Sequence, residues 1–172
     1  KIGEDTEPSA LPWDVIPSSN FKTVANLTAI KPGLIKNSEQ RIANSLDFKY
    51  LKHKVDCGAD FIVTQMFFDN KKYKAFVDKC RQNGINVPII PGLKPITSSK
   101  QLISLPKIFH LDIPLELSEA IQDCKNEKEV KEVGIEWMIN QCKELKEMGA
   151  PVLHFYTMGN PEPTKRIAQA IF

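Results

Sequence analysis

The feature that most constrains the fold of this chain is a unit that occurs three times: an amphipathic helix, a glycine and a short apolar strand. The glycines are Gly58, Gly84 and Gly149, each in the position of a helix C-cap. The runs that follow contain FIVTQMFF, VPIIPGL and VLHFYTM. The first is too continuously apolar for a half-exposed strand and predicts one buried on both faces. Strands that alternate with helices predict right-handed crossovers and a parallel sheet, so the fold class is α/β.

This unit is confined to the second part of the 172-residue chain. Residues 1–46 contain scattered turn formers, with FKTVANLTAI as their only fair apolar run. We expect that segment to be irregular, with one short strand and a helix near 38–46 that Ser38 caps. Residues 47–172 are predicted to hold the β/α units.

Helices are also expected between the second and third strands. SSKQLISLPKIF predicts a short helix broken by Pro106, and Pro114 is expected to open another. EVKEVGIEWMINQCKELKEM has apolar residues on one side at helical spacing and predicts a long amphipathic helix. Cys80 and Cys142 fall on helical apolar positions, so we expect them to be small buried hydrophobes.

Composition and charge exclude several classes of protein. The chain is 42% hydrophobic and 26% charged, which is ordinary for a globular protein. Its net charge is +2 without a basic stripe, so nucleic acid is not an expected partner. No apolar run is long enough to span a membrane, and KIGEDTEPSA is not a secretory signal. The four cysteines lack zinc-site spacing, which predicts a reduced, cytoplasmic protein without a metal.

Candidate site residues are the polar ones at the ends of the predicted strands, because parallel α/β folds bind ligands there. Gln65 lies in an apolar strand; its amide can read the edge of a heterocycle, or it is a hydrogen-bonded structural amide. Gly92 allows close approach to a ligand, or it belongs to a plain turn. His154 and Tyr156 share one face by the period of two. Tyr156 can contact a planar ligand, whereas a strand histidine is more often structural.

Motifs of several other enzyme classes are missing from the sequence. It contains no nucleophile elbow, Walker loop or G-x-G-x-x-G, so serine hydrolases, P-loop NTPases and Rossmann enzymes have no support. A barrel enzyme for phosphorylated sugars needs a phosphate loop, for which residues 157–160 are only a weak candidate. The residues alone therefore predict a planar ligand, with a heterocycle as one candidate class, and do not reach the reaction.

Longer motifs carry a resemblance to a known family. GADFIVTQMFFDN, IIPGLKP and LHFYTMG occur in this order, with VGIEWMINQCKELKEM before the last. Together they strongly resemble 5,10-methylenetetrahydrofolate reductase, and the likeness looks closest to the short bacterial form without a regulatory domain. The resemblance covers residues 47–172 and leaves residues 1–46 unmatched.

The resemblance implies a fold and a reaction. The fold is the C-terminal part of a TIM-type (β/α)8 barrel, incomplete in this chain because such barrels take about 250 residues. In the family, NAD(P)H reduces FAD, and the flavin then reduces methylenetetrahydrofolate to 5-methyltetrahydrofolate in one-carbon and methionine metabolism. The implied partners are the folate and NAD(P)H, and a homo-oligomer is left open.

The resemblance also assigns four residues. Gln65 matches the strand glutamine that contacts the pterin, and Tyr156 matches the aromatic residue of the last strand, near the substrates. Asp47 and Lys54 match positions that hold FAD on the helix before the first strand. Their spacing of seven places them two turns apart on one helical face, where Lys54 suits the FAD diphosphate.

The sequence departs from the family pattern in ways that affect activity. The G-Y-P-E-K-H and R-G-D segments and the family's functional acidic residues are absent, so the resemblance names no catalytic residue here. Ser99 stands where some members have phenylalanine, and Asn160 where some have arginine. Two functional hypotheses follow: part of a reductase whose barrel front lies outside this chain, or a truncated non-catalytic paralogue that acts as a binding or structural module.

Overall fold

A computed structural model of the protein describes the backbone of residues 24–26 and 46–172, and the side chains of residues 48–172. The strands are β1 (Val24–Asn26), β2 (Phe61–Met66), β3 (Ile89–Leu93) and β4 (His154–Phe155). The helices are α1 (Leu46–Asp56), α2 (Asn70–Gln82), α3 (Gln101–Phe109), α4 (Leu115–Gln122), α5 (Glu127–Glu147) and α6 (Glu162–Ile171). The short strand expected in FKTVANLTAI is therefore confirmed as β1. The helix predicted near 38–46 with its Ser38 cap lies outside the described residues.

The four strands form one parallel sheet in the order β1-β2-β3-β4. Val24 pairs with Phe61 between the first two strands, and Gly92 pairs with His154 between the last two. Each strand thus lies beside the strand that precedes it in the chain, with helices in the connections. This arrangement confirms the α/β class and the parallel sheet that the repeated unit predicts.

Local sequence signals set the ends of the helices. The three glycines of the repeated unit have positive φ angles, which are 103° at Gly58, 70° at Gly84 and 78° at Gly149. Left-handed backbone of this kind ends a helix at little cost when the residue is glycine. At the other end, Asp69 caps α2 by accepting a hydrogen bond from the backbone N–H of Lys71 at 2.9 Å. These devices fix where each helix stops and the next strand begins.

One sequence prediction about the helices was wrong. Pro106 does not break α3, because the helix continues through it to Phe109. Proline removes one N–H donor, and here that loss falls in the second half of a short helix. The Pro106 carbonyl still accepts from the His110 N–H at 2.8 Å, so the last turn is intact. Pro114 directly precedes α4, as predicted.

The main core lies between the sheet and the helices. Ile62, Ile89 and Leu93 face it from the strands, and Met138 and Leu145 face it from α5, each at most 1% exposed. The thiols expected inside the protein are there too: Cys80 and Cys142 are both fully buried. Among the helices of the described ranges, none has the length and apolar character needed to cross a membrane.

The opposite side of the sheet, which we call the second face, carries a smaller apolar cluster. Phe61, Val63 and Ile90 are buried there, with Val152 packed against them. β2 and β3 therefore bury both faces, as a strand without polar alternation should.

The third predicted strand was only partly right. β4 is two residues long, with His154 exposed and Phe155 half-buried. It pairs with β3, and within the described part of the chain it has no further strand neighbour. A strand at such an edge loses half of its ladder and much of its burial, which explains the short pairing.

Candidate functional site

A β-bulge shapes the carboxyl end of the sheet. The register of β2 and β3 shifts between Val63 and Met66, so that Thr64 and Gln65 together lie opposite Pro91. Proline has no N–H for the ladder and is tolerated in a sheet at such an irregularity. Bulges of this kind redirect side chains next to binding sites.

Thr64 of β2 is hydrogen-bonded at this bulge to β3 and to the residue that follows β4. Its Oγ1 accepts a hydrogen bond from the Gly92 N–H at 2.9 Å, which replaces a regular ladder bond. Its backbone carbonyl accepts from the Tyr156 hydroxyl, also at 2.9 Å. The Tyr156 N–H in turn donates to the Leu93 carbonyl at 2.8 Å. These bonds link the end of β2, the end of β3 and the residue after β4. We call this hydrogen-bonded group of Thr64, Gly92 and Tyr156 the corner.

Gly92 is needed for close approach between strands. A Cβ atom at this position would lie 2.2 Å from the Thr64 carbonyl oxygen and 2.7 Å from Cε2 of Tyr156. Of the two sequence interpretations, a plain turn does not apply, because Gly92 is a buried residue of β3. What approaches it closely is the protein's own backbone and the tyrosine ring.

Gln65 is half-buried beside this corner. Ile62 and Met66 both belong to the main core cluster, so Gln65 alternates onto the second face. Its Oε1 accepts from the Met66 N–H at 2.9 Å. The Nε2 group makes no hydrogen bond with any described residue. The amide is thus partly used by the fold and keeps two donors for a ligand.

His154 and Tyr156, which were predicted to share one face of the last strand, contact each other, although β4 ends at Phe155. The rings of His154 and Tyr156 meet edge to face, with centroids 4.8 Å apart and planes at 81°. Partial desolvation lowers the pKa of His154, and burial raises the pKa of Tyr156. Both shifts favour the neutral form, so this side of the site offers uncharged hydrogen-bonding and ring surfaces.

Lys94 is the site residue that sequence reasoning missed. It follows β3 directly and is only 6% exposed. Leu93 packs into the main core, so the alternation of an extended chain turns Lys94 to the same side as Gly92, where the Tyr156 ring lies close by. Burial lowers the pKa of its ammonium group. The available signal was a lysine placed directly after a buried strand, in IIPGLKP.

Asp47 and Lys54 are not brought into this corner. Both lie on α1, about 10 Å apart along the axis at 1.5 Å per residue. Lys54 is exposed and has no ion pair or hydrogen bond within residues 48–172. The side chain of Asp47 lies outside the described residues. The candidate residues therefore divide into a sheet cluster, made of the predicted Gln65 and Tyr156 together with Lys94, and a helix pair on α1, made of Asp47 and Lys54.

Metal binding has no support in the described part of the chain. Across residues 46–172 there is no group of three or more histidine, cysteine, aspartate or glutamate side chains placed to hold an ion. The sheet cluster itself supplies an amide, an ammonium group and the Tyr156 ring, against which the His154 ring lies.

The Tyr156 hydroxyl should contribute measurably to stability. We expect Tyr156→Phe to lower the free energy of unfolding by about 1 kcal/mol, because the Thr64 carbonyl loses its donor at a half-buried position. Tyr50→Phe is the matched control, since Tyr50 is 60% exposed, and it should change stability by less than about 0.5 kcal/mol. Urea denaturation measures both; equal effects would contradict a role for the Tyr156 bond.

Comparison with known proteins identifies the family of the chain. Residues 23–171 match the family model described as methylenetetrahydrofolate reductase. The chain belongs to this family. The match begins before position 47, so the methylenetetrahydrofolate reductase region takes in β1 and part of the segment that sequence analysis left unassigned.

Three members of the methylenetetrahydrofolate reductase family are similar in sequence to this chain. The Oryza sativa protein named probable methylenetetrahydrofolate reductase (NADH) is 40% identical over 139 residues, covering 79% of this chain and 23% of its own length. A Caenorhabditis elegans relative with the name probable methylenetetrahydrofolate reductase (NADPH) is 35% identical over 127 residues, or 73% of this chain and 19% of its own. The 5,10-methylenetetrahydrofolate reductase of Pectobacterium carotovorum is 32% identical over 126 residues, or 73% and 42%.

The three relatives differ from this chain in length and from one another in their identity to it. The chain spans between 19% and 42% of the length of these three relatives. Identity is higher to the rice protein, at 40%, than to the bacterial one, at 32%, although the sequence resemblance pointed to the short bacterial form.

Proposed function

We propose that this chain takes part in the reduction of 5,10-methylenetetrahydrofolate to 5-methyltetrahydrofolate by NAD(P)H, for which bound FAD would supply the hydride-transfer chemistry. The observation that carries the proposal is the sheet cluster at the carboxyl end of β2 to β4, in a chain of this family. This is the edge at which parallel α/β folds bind their ligands.

The sheet cluster has the groups that a pterin needs. The free Nε2 donors of Gln65 suit the acceptor atoms on the edge of the ring system, and Tyr156 offers an aromatic surface beside them. The bond from the Tyr156 hydroxyl to Thr64 fixes the ring before a ligand arrives. Such fixing lowers the entropy lost on binding and orients the pterin that carries the methylene group to be reduced.

The helix pair on α1 suits FAD. An exposed Lys54 ammonium without a partner among residues 48–172 is available to a diphosphate, which agrees with the role that the family resemblance gives it. Asp47 lies on the same helix, two turns earlier. We therefore assign FAD binding to Lys54 and Asp47, and pterin binding to Gln65 and Tyr156.

The sheet supports placing these residues in a barrel. Neighbouring strands are sequential and parallel, and β2 and β3 bury apolar side chains on both faces. Both properties belong to the wall of a (β/α)8 barrel, whose interior is packed with branched side chains. We propose that the described β/α units are its C-terminal part.

The two half-reactions test the assignment of Gln65. In protein reconstituted with FAD, Gln65→Glu should lower folate reduction by about tenfold to a hundredfold, because the carboxylate cannot donate to the pterin. NADH oxidation with an artificial electron acceptor should stay within about twofold of the parent. Gln82→Glu, at an exposed position on α2, should leave both reactions unchanged.

The same preparation separates the two functional hypotheses. Retention of a visible flavin absorbance band after gel filtration supports the reductase. A colourless protein that binds no added FAD would overturn the proposed activity of this chain and favour a binding or structural module. Equal loss of both half-reactions in Gln65→Glu would contradict its pterin role.

A further inference from the structure

Lys94 is a buried cation without a counter-charge among the described residues. It is 6% exposed, and within residues 48–172 it forms no hydrogen bond or ion pair. Burial alone lowers its pKa, with no carboxylate acting in the other direction. Removing an ammonium group from water costs free energy that the fold normally recovers through a partner. Within residues 48–172, no side chain or carbonyl group offsets this cost at Lys94.

The position of Lys94 is next to the sheet cluster. It lies two residues beyond Gly92. A Cβ atom at Gly92 would lie 2.2 Å from the Thr64 carbonyl oxygen and 2.7 Å from Cε2 of Tyr156. Gly92 pairs with Met66, the residue after Gln65, so Lys94 and Gln65 belong to the same end of the neighbouring strands β2 and β3. The sheet cluster therefore combines neutral groups suited to a ring with a single positive charge.

The surrounding bonds hold this arrangement in place. Leu93, immediately before Lys94, is fully buried, and its carbonyl accepts from the Tyr156 N–H. Pro95 and Ile96, which follow, are buried too. The backbone on either side of Lys94 is thus anchored by buried neighbours, which fixes where its side chain begins.

We propose that Lys94 is an anion-binding residue of the ligand site, which pairs with a carboxylate or phosphate group of the molecule bound at the carboxyl end of the sheet. The inference rests on the proposed function for the place of that ligand. A folate supplies carboxylates and a nicotinamide nucleotide supplies a diphosphate. A charge-assisted pair of this kind is about twice as strong as a neutral hydrogen bond.

Calorimetric titration of the full chain tests this inference with three probes: 5-methyltetrahydrofolate, NADH and inorganic pyrophosphate. We expect Lys94→Met to weaken the binding of at least one probe by about tenfold to a hundredfold. Lys94→Arg, which keeps the charge, should stay within about fivefold of the parent. Lys143→Met, at an exposed position on α5, is the matched control and should bind as the parent does. The probe that responds identifies the carboxylate or the phosphate as the source.

Stability without ligand gives a second, independent readout. Because Lys94→Met removes a buried charge that lacks a partner, its melting temperature should equal or exceed that of the parent. A fall of more than about 5 °C would assign the ammonium group a partner within the fold and overturn the inference.

Two outcomes of the titration also overturn it: equal affinities of parent and Lys94→Met for all three probes, or no binding of any probe by the parent. Binding of pyrophosphate that depends on Lys94 in a protein that takes up no flavin would instead overturn the proposed function and leave the inference standing.

Discussion

Gly134→Ala should lower the free energy of unfolding by about 3 kcal/mol, although alanine is the better helix former. Gly134 is buried in the middle of α5, against the segment that follows β3. A Cβ atom there would lie 1.8 Å from the carbonyl oxygen of Ile96 and 2.7 Å from its carbonyl carbon. Both are backbone atoms of a residue that is 1% exposed, so no side-chain rotation relieves the overlap.

Two effects of opposite sign compete in this substitution. Helix propensity favours alanine over glycine by about 1 kcal/mol. Overpacking of a close backbone contact typically costs 1–3 kcal/mol and occasionally more, and here α5 as a whole must move away from Ile96. We expect packing to dominate, because a contact of 1.8 Å requires a shift of more than an ångström in a close-packed core.

Thermal and urea denaturation measure the result. For a chain of this size a loss of about 3 kcal/mol corresponds to a fall of roughly 6–12 °C in melting temperature. Asn140→Ala, at an exposed position on the same helix, is the control and should be neutral or slightly stabilising. A Gly134→Ala protein at least as stable as the parent would show that α5 does not pack against Ile96 in this way.

Gly92→Ala is the second substitution with a large expected effect, about 2–3 kcal/mol of unfolding free energy. The new Cβ would meet the Thr64 carbonyl oxygen at 2.2 Å. Separating β2 from β3 at this point also disrupts the hydrogen bond from Gly92 to Thr64 Oγ1. The Tyr156 hydroxyl would lose its fixed acceptor as well, so ligand binding at the sheet cluster should weaken together with stability.

Two further variants isolate the cause of this effect. Gly58→Ala meets no atom within 4 Å but must adopt a φ angle near 103°, so it measures strain alone, at about 1–2 kcal/mol. Adding Tyr156→Ala to Gly92→Ala should restore no stability, because the obstacle is the Thr64 backbone rather than the tyrosine ring. A rescue by Tyr156→Ala would mean that the ring is the main obstacle.

Much of the architecture could be predicted from short-range signals. Glycine at a helix C-terminus, an apolar run after it and a capping residue such as Asp69 act over a few residues, so the order of helices and strands is visible in the sequence. The burial of Cys80 and Cys142 follows from helical periodicity in the same way. The length of β4 was overestimated, because strand pairing depends on neighbours in space and His154 lies at an edge of the described sheet.

The candidate site was predictable only in part. Gln65 and Tyr156 could be chosen because a polar residue inside an apolar run stands out. The role of Thr64 could not be predicted, because its hydrogen bond with Tyr156 connects residues that are 92 positions apart in the chain. Lys94 was missed because lysines are common at protein surfaces, and its position directly after the apolar run in IIPGLKP was a weak signal of its burial.

The sequence by itself determined the α/β class, the repeated helix–glycine–strand unit and the family, because each of these is written in local patterns and motifs. Only the tertiary structure decided the bulge opposite Pro91, the hydrogen-bonded corner around Thr64, the close contact of Gly134 with Ile96 and the burial of Lys94 without a partner among the described residues. These depend on distances between residues far apart in the chain. Such distances are set by packing, which no local pattern records.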